Sequence, residues 1–398
     1  MSGVEAAAIL GIKRATLYAY ASRGLVRSEP GAGKGKARLY SREDVERLKA
    51  RHDARAGHGP VAAGALRWGD PVLESALTAI DASGPRYRGH AATELARAHG
   101  FEAAAELLWT GALPATRPRW RASGPGLRVQ SLAAMLPDGA PPLVTLQLAV
   151  PALAAGEPGR DVGAARGLVL RMAALAGAGS DATRVRAALA EGTVARALLV
   201  ALGVRPTERS ERAMDAALVL CADHELNASA FAVRVAASAG ADVFACVSAG
   251  LATLSGPRHG GAVDRVEALI AEVERPERAA AAIRDRVRRG EDVPGFGHPL
   301  YPAGDPRARE LLALAGSLAP RSRAVLTVQA IVETMATGRR ERPNLDVSLA
   351  AIGAALGLPP GTAVAIFAVG RVAGWVAHAF EQRAAGFLLR PRARYVGP

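Results

Sequence analysis

Cysteine is nearly absent from this chain: its 398 residues include only Cys221 and Cys246, both within apolar stretches. Two cysteines so placed exclude a disulfide framework and offer no metal-ligand spacing, so we expect two buried structural thiols. Aromatic residues make up only 4% of the chain, and runs of alternating β-branched and aromatic residues are scarce. That scarcity argues against an extensive β-sheet.

The chain also lacks the marks of export and of membrane insertion. Its first residues show no charged region followed by an apolar one, so no secretory signal is visible. Its apolar stretches are interrupted by Arg, Gly or Pro before they reach the length that spans a bilayer. We therefore expect a soluble, cytoplasmic protein with no membrane partner.

Lysine is absent after the first fifty residues, where all four lysines lie, and every later basic residue is arginine. Residues 1–60 contain twelve Lys and Arg against six Asp and Glu, a net charge of +6 within the total of +13. This shift in composition predicts a boundary near the Gly57–Pro60 breaker, with a first domain over residues 1–58.

Three helices are predicted in this first domain. Val4–Leu10 forms a short helix ended by Gly11, and Ile12–Ser22 forms a second helix. A third, from Arg42 to about Arg55, can be capped by Ser41. A helix, a tight turn and a second helix are typical of a DNA-binding module.

Between the second and third helices, Leu25–Arg27 and Ala37–Tyr40 flank a Gly/Lys-rich turn like the two arms of a β-wing. The whole pattern resembles the winged helix-turn-helix domain of the MerR and excisionase type. The resemblance implies that the second helix enters the major groove of DNA and that the wing contacts its backbone. The residues that would then face DNA are Lys13, Arg14, Thr16, Tyr18, Lys34, Lys36 and Arg38.

An alternative for this domain is a protein-interaction or oligomerisation element whose charges form a solvated face. The turn Gly31–Ala37 is not a nucleotide-binding loop, since Ala37 stands where a P-loop needs Ser or Thr. Lys36 likewise replaces the last glycine of a dinucleotide fingerprint. We interpret the segment as a wing turn.

The rest of the chain is rich in Ala, Leu and Arg, and stretches such as Thr183–Glu191 favour helix, so we expect an all-α protein. Three short segments within it each contain one acid–base side chain: Ser255–Gly261 with His259, Gly295–His298, and Asn344–Asp346. Glycines around the two histidines allow a ligand to approach the backbone closely. Two histidines and a carboxylate are what an enzyme needs to form and trap an enolate.

In this order and spacing, the three segments resemble the citrate synthase family, over roughly residues 68–398. Arg86–Gly89 and the following Glu94–Pro114 resemble the entry segment of that family. The resemblance implies an all-α, citrate synthase fold behind the winged helix-turn-helix domain. Its domains would be a large domain over 61–260, a small mobile domain over 261–351, and a return to the large domain over 352–398.

The resemblance also implies a role for each acid–base residue. Asp346 would be the general base that takes a methyl proton from acetyl-CoA, and His259 would donate a hydrogen bond to the thioester oxygen. His298 would polarise the ketone of oxaloacetate. His224, in a segment similar to the family's Ala-Asp-His-Glu-x-Asn helix, would bind the carboxylate and carbonyl region of oxaloacetate.

Three arginines complete the implied oxaloacetate site: Arg307 in Asp-Pro-Arg, Arg371, and Arg390 in Arg-Pro-Arg. A dicarboxylate needs bidentate, permanently charged partners, which favours arginine over lysine. In the family the last arginine comes from the neighbouring subunit, so a homodimer is implied. The reaction needs no metal and no redox cofactor, and acetyl-CoA enters as a substrate.

The chain departs from the family after His298, where Pro299 and Pro302 replace basic residues that reach the CoA phosphates. Val263 and Asp264 also replace the usual Asn-Glu after the His-Gly-Gly-Ala segment. These changes bear on the binding of CoA and on acyl-chain preference. Two alternatives therefore stay open: a 2-methylcitrate synthase that uses propionyl-CoA, and a DNA-binding regulator whose synthase-like domain senses metabolites.

Overall fold

The computed structural model describes residues 1–30, 38–55, 73–156, 159–338 and 341–391, and residues 393, 395 and 397. The chain divides into two compact units, Met1–Glu74 and Ser75–Pro398. The predicted wing turn, with Lys34 and Lys36, lies outside the described residues, as does the Gly57–Pro60 breaker.

The first unit contains three helices, α1 (Gly3–Leu10), α2 (Arg14–Ser22) and α3 (Arg42–Arg55). Ser2 and Glu5 form a capping box at the start of α1, and Gly11 ends that helix in a left-handed conformation with φ +63°. A small core of buried apolar side chains holds the unit together: Ala6, Ala7, Leu10, Leu17, Val26, Tyr40 and Val45. The order of helices predicted for this region is confirmed.

Two boundaries in this unit differ from the prediction. Helix α2 begins at Arg14 rather than Ile12, and the first strand of the wing, β1, is Ser28–Pro30 rather than Leu25–Arg27. It pairs antiparallel with β2 (Arg38–Tyr40), with Ser28 opposite Tyr40. The strand starts later because Leu25 N still bonds to the Tyr20 carbonyl at the end of α2.

The second unit begins with a three-stranded antiparallel sheet, β3 (Thr78–Asp81), β4 (Gly84–Tyr87) and β5 (His90–Ala91). The resemblance of Tyr87–Gly89 to the entry segment predicts a turn at these three residues, and this prediction is partly correct. Tyr87 ends β4, and only Arg88 and Gly89 turn the chain, with φ of +44° and +88°. Tyr87 is fully buried, and its hydroxyl donates to the Val219 carbonyl at 2.9 Å, which attaches the middle strand of the sheet to the helical core.

The remaining elements of this unit are helical. In chain order they are α4 (Ala92–Ala98), α5 (Phe101–Thr110), α6 (Val129–Ala134), α7 (Pro142–Gly156), α8 (Val162–Leu175), α9 (Arg184–Leu189), α10 (Val194–Ala201), α11 (Glu208–Cys221), α12 (Ala228–Ser238), α13 (Val243–Leu254), α14 (Ala262–Val273), a 3₁₀ turn (Pro276–Arg278), α15 (Ala279–Arg288), α16 (Pro306–Leu318), α17 (Arg323–Gly338), α18 (Leu345–Leu356) and α19 (Ala363–Ala385). The predicted helical character of the region is confirmed.

Helix α19 is the central element of the second unit and packs against α5, α11, α12 and α13. It is long and apolar enough to cross a membrane by length and composition, yet 94% of its apolar window is buried inside the protein. Its apolar character is therefore accounted for by the core. Cys221 on α11 and Cys246 on α13 are both free and buried, as predicted.

The large and small domains expected at 61–260, 261–351 and 352–398 stay predictions. Helix α18, which carries Asp346, runs continuously across the expected boundary at 351 and packs on both α16 and α19. A separate buried cluster, formed by Leu269, Val273, Ile283, Ile331 and Met335, joins α14, α15 and α17.

Candidate active site

The segment that carries His224 is a loop and not a helix, which corrects the prediction. Helix α11 ends at Cys221, and α12 begins only after Asn227, whose Oδ1 accepts hydrogen bonds from Ser229 N and Ala230 N, each at 3.1 Å. A side chain that caps a new helix requires the chain to leave the previous one first. The loop turns at Glu225, with φ +56°.

Asp223 anchors this loop in the core. Its carboxylate is fully buried, accepts a hydrogen bond of 2.6 Å from Thr78 on β3, and lies 3.3 Å from His378 Nε2 on α19. Burial raises the pKa of Asp223, but the nearby His378, Arg371 and Thr78 together hold it below its usual value. The charged aspartate therefore fixes the position of its neighbour His224.

His224 itself is buried, 9% exposed, and its Nε2 lies 2.8 Å from the hydroxyl of Tyr301. Burial, followed by the charges of Arg307 and Arg371, holds the pKa of His224 well below its ordinary value. The ring of His298 lies edge-on to that of His224, with centroids 5.3 Å apart. A neutral His224 thus faces a second histidine that comes from a distant part of the chain.

His298 is held by the loop that precedes α16. Leu300 N donates to His298 Nδ1 at 3.1 Å, so the ring proton of the neutral histidine lies on Nε2. Burial and the charge of Arg307 lower the pKa of His298. The structure therefore presents His298 as a neutral hydrogen-bond donor through Nε2.

Backbone hydrogen bonds bring the His298 loop against the segment that leads to Asp346. Gly297 N donates to the Arg342 carbonyl at 2.8 Å, and Asn344 N donates to the Gly295 carbonyl at 3.0 Å. Gly295 has φ +91°, and a Cβ there would lie 2.8 Å from Cβ of Val347. Only glycine allows this close approach, which explains the first glycine of the Gly-x-Gly-His segment.

Asp346 is the second residue of α18, and its N–H donates to Oδ1 of the capping residue Asn344 at 3.0 Å. Burial raises the pKa of Asp346 to about 6, although Arg307 opposes the shift. A carboxylate with a raised pKa is a stronger base than an exposed aspartate. No hydrogen bond joins Asp346 to His259 or His298 among the described residues.

His259 lies in the turn between α13 and α14, half-buried against α12 and α19. Its Nε2 is 2.7 Å from Oγ of Ser229, which in turn accepts a hydrogen bond of 3.0 Å from Trp375 Nε1. Burial, with a smaller contribution from Arg371, lowers the pKa of His259 to about 4. The single hydrogen of the Ser229 hydroxyl goes to Asn227 Oδ1 at 2.7 Å, so Nε2 of the neutral His259 carries the ring proton and donates it to Ser229 Oγ.

The two predicted arginines of the core are both almost fully buried. Arg307, 2% exposed, forms two hydrogen bonds with Asp305, at 3.0 and 2.8 Å. Burial opposes its charge, but Asp305 outweighs burial, and the pKa of Arg307 lies above its ordinary value. Arg371, 1% exposed, donates from Nε to the Cys221 carbonyl at 2.6 Å and stacks over Phe367 at 4.8 Å.

The structure thus brings together most of the predicted site residues. Arg307 influences the pKa of His224, His298 and Asp346, and Arg371 influences that of His224 and His259. Each of the four acid–base side chains therefore lies within electrostatic range of at least one of these arginines, and His224 lies within range of both. A pair of buried cations surrounded by neutral histidines is an arrangement suited to a small dianion.

Arg390 is not part of this cluster. It is exposed beyond the end of α19, where Leu389 N donates to Ser238 Oγ at 3.1 Å. The expected role of Arg390 in a partner subunit's site stays a prediction.

Sequence reasoning assigned no role to Tyr301, Ser229 and Phe367, which contact predicted residues, or to Trp375, which bonds to Ser229. Tyr301 lies three residues after His298, and Ser229 lies five after His224. Both lie close in sequence to a predicted histidine, but a hydroxyl carries no signal of its contacts. Trp375 and Phe367 meet the site only because α19 crosses it.

In the first unit, the described residues predicted to face DNA lie on α2 and β2. Lys13, Arg14 and Tyr18 are exposed, Thr16 is half-buried, and Arg14 donates to the Tyr18 hydroxyl at 3.0 Å. The exposed Arg38 donates to the Ser28 carbonyl at 3.4 Å. Lys13, Arg14 and Arg38 have no ion pair among the described residues, so their charge is available to an anionic partner.

The part of the chain that the structure describes holds no group of three or more His, Cys, Asp or Glu side chains that could bind a metal ion. The expectation that the protein works without a metal or redox cofactor stays a prediction.

Comparison with known proteins agrees with this arrangement. The profile of the citrate synthase C-terminal domain matches residues 65–392, and that of a helix-turn-helix domain matches residues 1–53. Putative citrate synthase 2 of Mycobacterium bovis is 43% identical over 198 residues, which are 48% of this chain and 53% of that protein. The chain thus spans about half the length of this relative.

Two longer matches come from proteins with different names. Citrate synthase of Haloferax volcanii is 32% identical over 82% of this chain and 93% of its own length. The 2-methylcitrate synthase of Mycobacterium tuberculosis is also 32% identical, over 78% of this chain and 84% of its own length.

Solved structures show the same fold. The ternary complex of carboxymethyl coenzyme A and oxaloacetate with citrate synthase from Thermoplasma acidophilum superimposes with a TM-score of 0.70 at 26% identity, covering 82% of this chain and 94% of that one. Citrate synthase from Thermotoga maritima gives a TM-score of 0.66 at 25% identity, covering 83% and 94%. The chain belongs to the citrate synthase family and has a helix-turn-helix domain at its N-terminus.

Proposed function

We propose that this protein is a citrate synthase, an acyltransferase that condenses acetyl-CoA with oxaloacetate and water to give citrate and CoA. The observation that supports it best is the convergence of Arg307 and Arg371 with three neutral histidines and a carboxyl group of raised pKa. The arginines match the two carboxylates of oxaloacetate, and the remaining groups match the steps of an enolate condensation. The proposed compartment is the cytoplasm.

In the first step, Asp346 removes a methyl proton from acetyl-CoA while His259 donates a hydrogen bond to the thioester oxygen. The carbon acid is weak, so the base alone is insufficient, and one well-placed donor to the enolate oxygen contributes about 10²–10³ in rate. Neutral His259 has one ring N–H to donate. In the structure this N–H lies on Nε2 and bonds to Ser229 Oγ, whose own hydrogen goes to Asn227 Oδ1, so the ring must release Ser229 before it donates to the thioester oxygen.

In the second step, the enolate carbon attacks the ketone carbon of oxaloacetate. His298 donates a hydrogen bond through Nε2 and polarises the ketone oxygen as the carbon–carbon bond forms. The resulting alkoxide takes a proton from water while Asp346 releases the methyl proton to water, which yields citryl-CoA. Arg307, Arg371 and His224 hold the dicarboxylate during this step. Water then hydrolyses the thioester, which releases citrate and CoA.

A homodimer is part of the proposal. Phe387 and Leu388 are 50% and 56% exposed immediately before Arg390, and Val144 and Leu148 form an exposed apolar face on α7. Exposed apolar residues of this kind favour a protein contact. A partner subunit that covers Phe387 and Leu388 would bring its own active site close to Arg390 of this chain. Arg390 would then add to the oxaloacetate contacts in the partner's site.

The choice of acyl group distinguishes this proposal from its nearest rival. Relatives named citrate synthase and 2-methylcitrate synthase match with equal identity, so propionyl-CoA is the alternative substrate. The deciding experiment measures thiol release by the purified protein with oxaloacetate and either acetyl-CoA or propionyl-CoA, omitting each substrate in turn. Thiol release that requires both acetyl-CoA and oxaloacetate would support the proposal. A strong preference for propionyl-CoA would instead identify the protein as a 2-methylcitrate synthase.

The second candidate function is a DNA-binding regulator whose synthase-like unit senses oxaloacetate or acyl-CoA. It is favoured by the helix-turn-helix domain and by the exposed cations of α2. A raised-pKa carboxylate at Asp346 has no use in a sensor, which is why the enzyme is preferred. Absence of thiol release together with oxaloacetate binding and a salt-dependent shift of duplex DNA would establish the regulator instead.

A further inference from the structure

Tyr301 occupies the centre of the proposed oxaloacetate site. It is 3% exposed, and its hydroxyl lies 2.8 Å from His224 Nε2. The ring of His298 is 4.9 Å away between centroids, and the Arg307 guanidinium lies 5.5 Å from the Tyr301 ring centroid. One side chain thus contacts three groups of the site.

The direction of the hydrogen bond between Tyr301 and His224 follows from the partners that are available to the donor and acceptor atoms of each side chain. The buried hydroxyl of Tyr301 has no second partner among the described residues, so its hydrogen must be donated to His224 Nε2 to avoid an unsatisfied donor. Burial raises the pKa of Tyr301 and lowers that of His224, so the phenol keeps its proton and the imidazole stays neutral.

A neutral imidazole that accepts at Nε2 carries its proton on Nδ1. Within the described part of the chain, His224 Nδ1 has no hydrogen-bond partner, so this N–H is available to a ligand. An N–H donor beside two buried arginines suits a carboxylate or a carbonyl oxygen, whereas a bare ring nitrogen would repel either. The tautomer of His224 therefore decides whether the histidine attracts or repels an anionic substrate.

We propose that Tyr301 is a positioning residue: its hydroxyl fixes His224 in the tautomer that donates from Nδ1 to oxaloacetate, and its ring orients Arg307. This inference rests on the proposed function and names a further determinant of the same site. It differs from a general structural role, because a scaffold residue would affect both substrates, whereas Tyr301 acts through groups that meet only the dicarboxylate.

The test compares the full-length protein with its Tyr301→Phe variant, which keeps the ring and removes the hydroxyl. Calorimetry measures oxaloacetate binding in the absence of acyl-CoA, and we expect the Kd to rise about tenfold or more, as for the loss of a hydrogen bond that orients a charged contact. The KM for acetyl-CoA should change less than about twofold. Tyr20→Phe, a tyrosine of the first unit, is the matched control and should leave both values unchanged.

A second measurement reads the tautomer directly. Nitrogen-15 spectra of protein with labelled histidine, with the His224 signals assigned from a His224→Gln variant, should show Nδ1 protonated in the wild type. The Tyr301→Phe variant should lose this single tautomer. Because this readout needs no substrate, it decides the inference even if the wild type fails to bind oxaloacetate, a result that would instead remove the proposed function.

Three results would overturn the inference. One is an oxaloacetate Kd for Tyr301→Phe equal to that of the wild type, and another is a wild-type spectrum with the proton on Nε2. The third is a parallel rise in the Kd for oxaloacetate and the KM for acetyl-CoA together with a lower melting temperature, which would mark Tyr301 as part of the scaffold.

Discussion

The two units of this protein use arginine and lysine in opposite ways. In the first unit Lys13 and Arg14 are exposed on α2, whereas in the second Arg307 and Arg371 are 2% and 1% exposed. Exposed cations cost little to maintain and attract a polyanion by the sum of many weak interactions. Buried cations are costly and are retained where geometry gives each one a defined partner. The placement of the charge, more than its sign, separates the two kinds of site.

Acidic residues follow the same division. In the first unit, Glu43 and Asp44 pair with Arg27 near the start of α3, and helix α2 contains no acidic residue. In the second unit Asp305 is buried against Arg307, and Asp346 has a raised pKa near the same arginine. Helix α2 therefore carries no acid to neutralise its own cation, whereas the second unit combines acids and bases within a single cluster.

Removal of the proposed base should give the largest effect. Asp346→Asn should lower kcat for thiol release by about 10²–10⁴-fold, because the amide cannot take the methyl proton. Oxaloacetate binding and DNA binding should stay unchanged, so the loss should be confined to the chemistry of the second unit. Residual activity within tenfold of the wild type would mean that another group is the base.

Removal of a buried cation should destabilise the second unit. Arg307→Met leaves the Asp305 carboxylate buried without its partner, and we expect the free energy of unfolding to fall by about 3–5 kcal/mol. Denaturant unfolding, followed by the fluorescence of Trp109, Trp120 and Trp375, measures the change. The exposed Arg14→Ala should change stability by no more than about 0.5 kcal/mol.

The double variant Asp305→Leu/Arg307→Met is the control for this prediction. It removes both members of the pair, so it should recover much of the stability lost in Arg307→Met while still failing to bind oxaloacetate. A loss below about 1 kcal/mol in the single variant would show that water reaches the pair and that its burial matters little.

Acid should inactivate the second unit through Asp346. Its pKa is raised to about 6, and the ionised form is the base, so kcat/KM for acetyl-CoA should fall about tenfold per unit of pH below about 6. His259, with a pKa near 4, stays neutral over this range and does not contribute to the loss. A profile that is flat between about pH 5 and 7 would contradict the assignment of Asp346 as the base.

The smallest effect is expected in the first unit. Lys13→Ala should weaken binding of a DNA duplex a few-fold and reduce the slope of log affinity against log salt by about 1, as for the loss of one phosphate contact. Arg42→Ala removes an equal charge that is already paired with Glu46 and should leave the slope unchanged. Equal effects of the two variants would show that only net charge matters, and no binding even at low salt would favour a protein-interaction role.

Several features could be predicted from the sequence because they depend on local chemistry. Gly11 and Ser41 define helix ends through conformational freedom and a side-chain cap, and both boundaries are confirmed. The helical character of residues after 91 follows from composition in the same way. Even the pairing of Asp346 with its capping neighbour Asn344 is contained within three residues.

Other features escaped prediction because they depend on contacts between distant segments. His224 was placed on a helix because its segment is similar to a helix of the family, yet Asn227 caps the next helix and Asp223 bonds to Thr78, 145 residues away. The β3–β5 sheet was missed for a similar reason, since Tyr87 is held by the core rather than by strand propensity.

The sequence by itself determined which acid–base groups are present, which glycines permit close approach, and where the helices of the first unit end, since each depends on a few neighbouring residues. Only the tertiary structure decided the state of those groups. The three histidines His224, His298 and His259 are neutral because burial and nearby arginines both lower their pKa. The pKa of Asp346 is raised because the effect of burial exceeds the opposing charge of Arg307. Burial is a property of the packed chain, and no local pattern contains it.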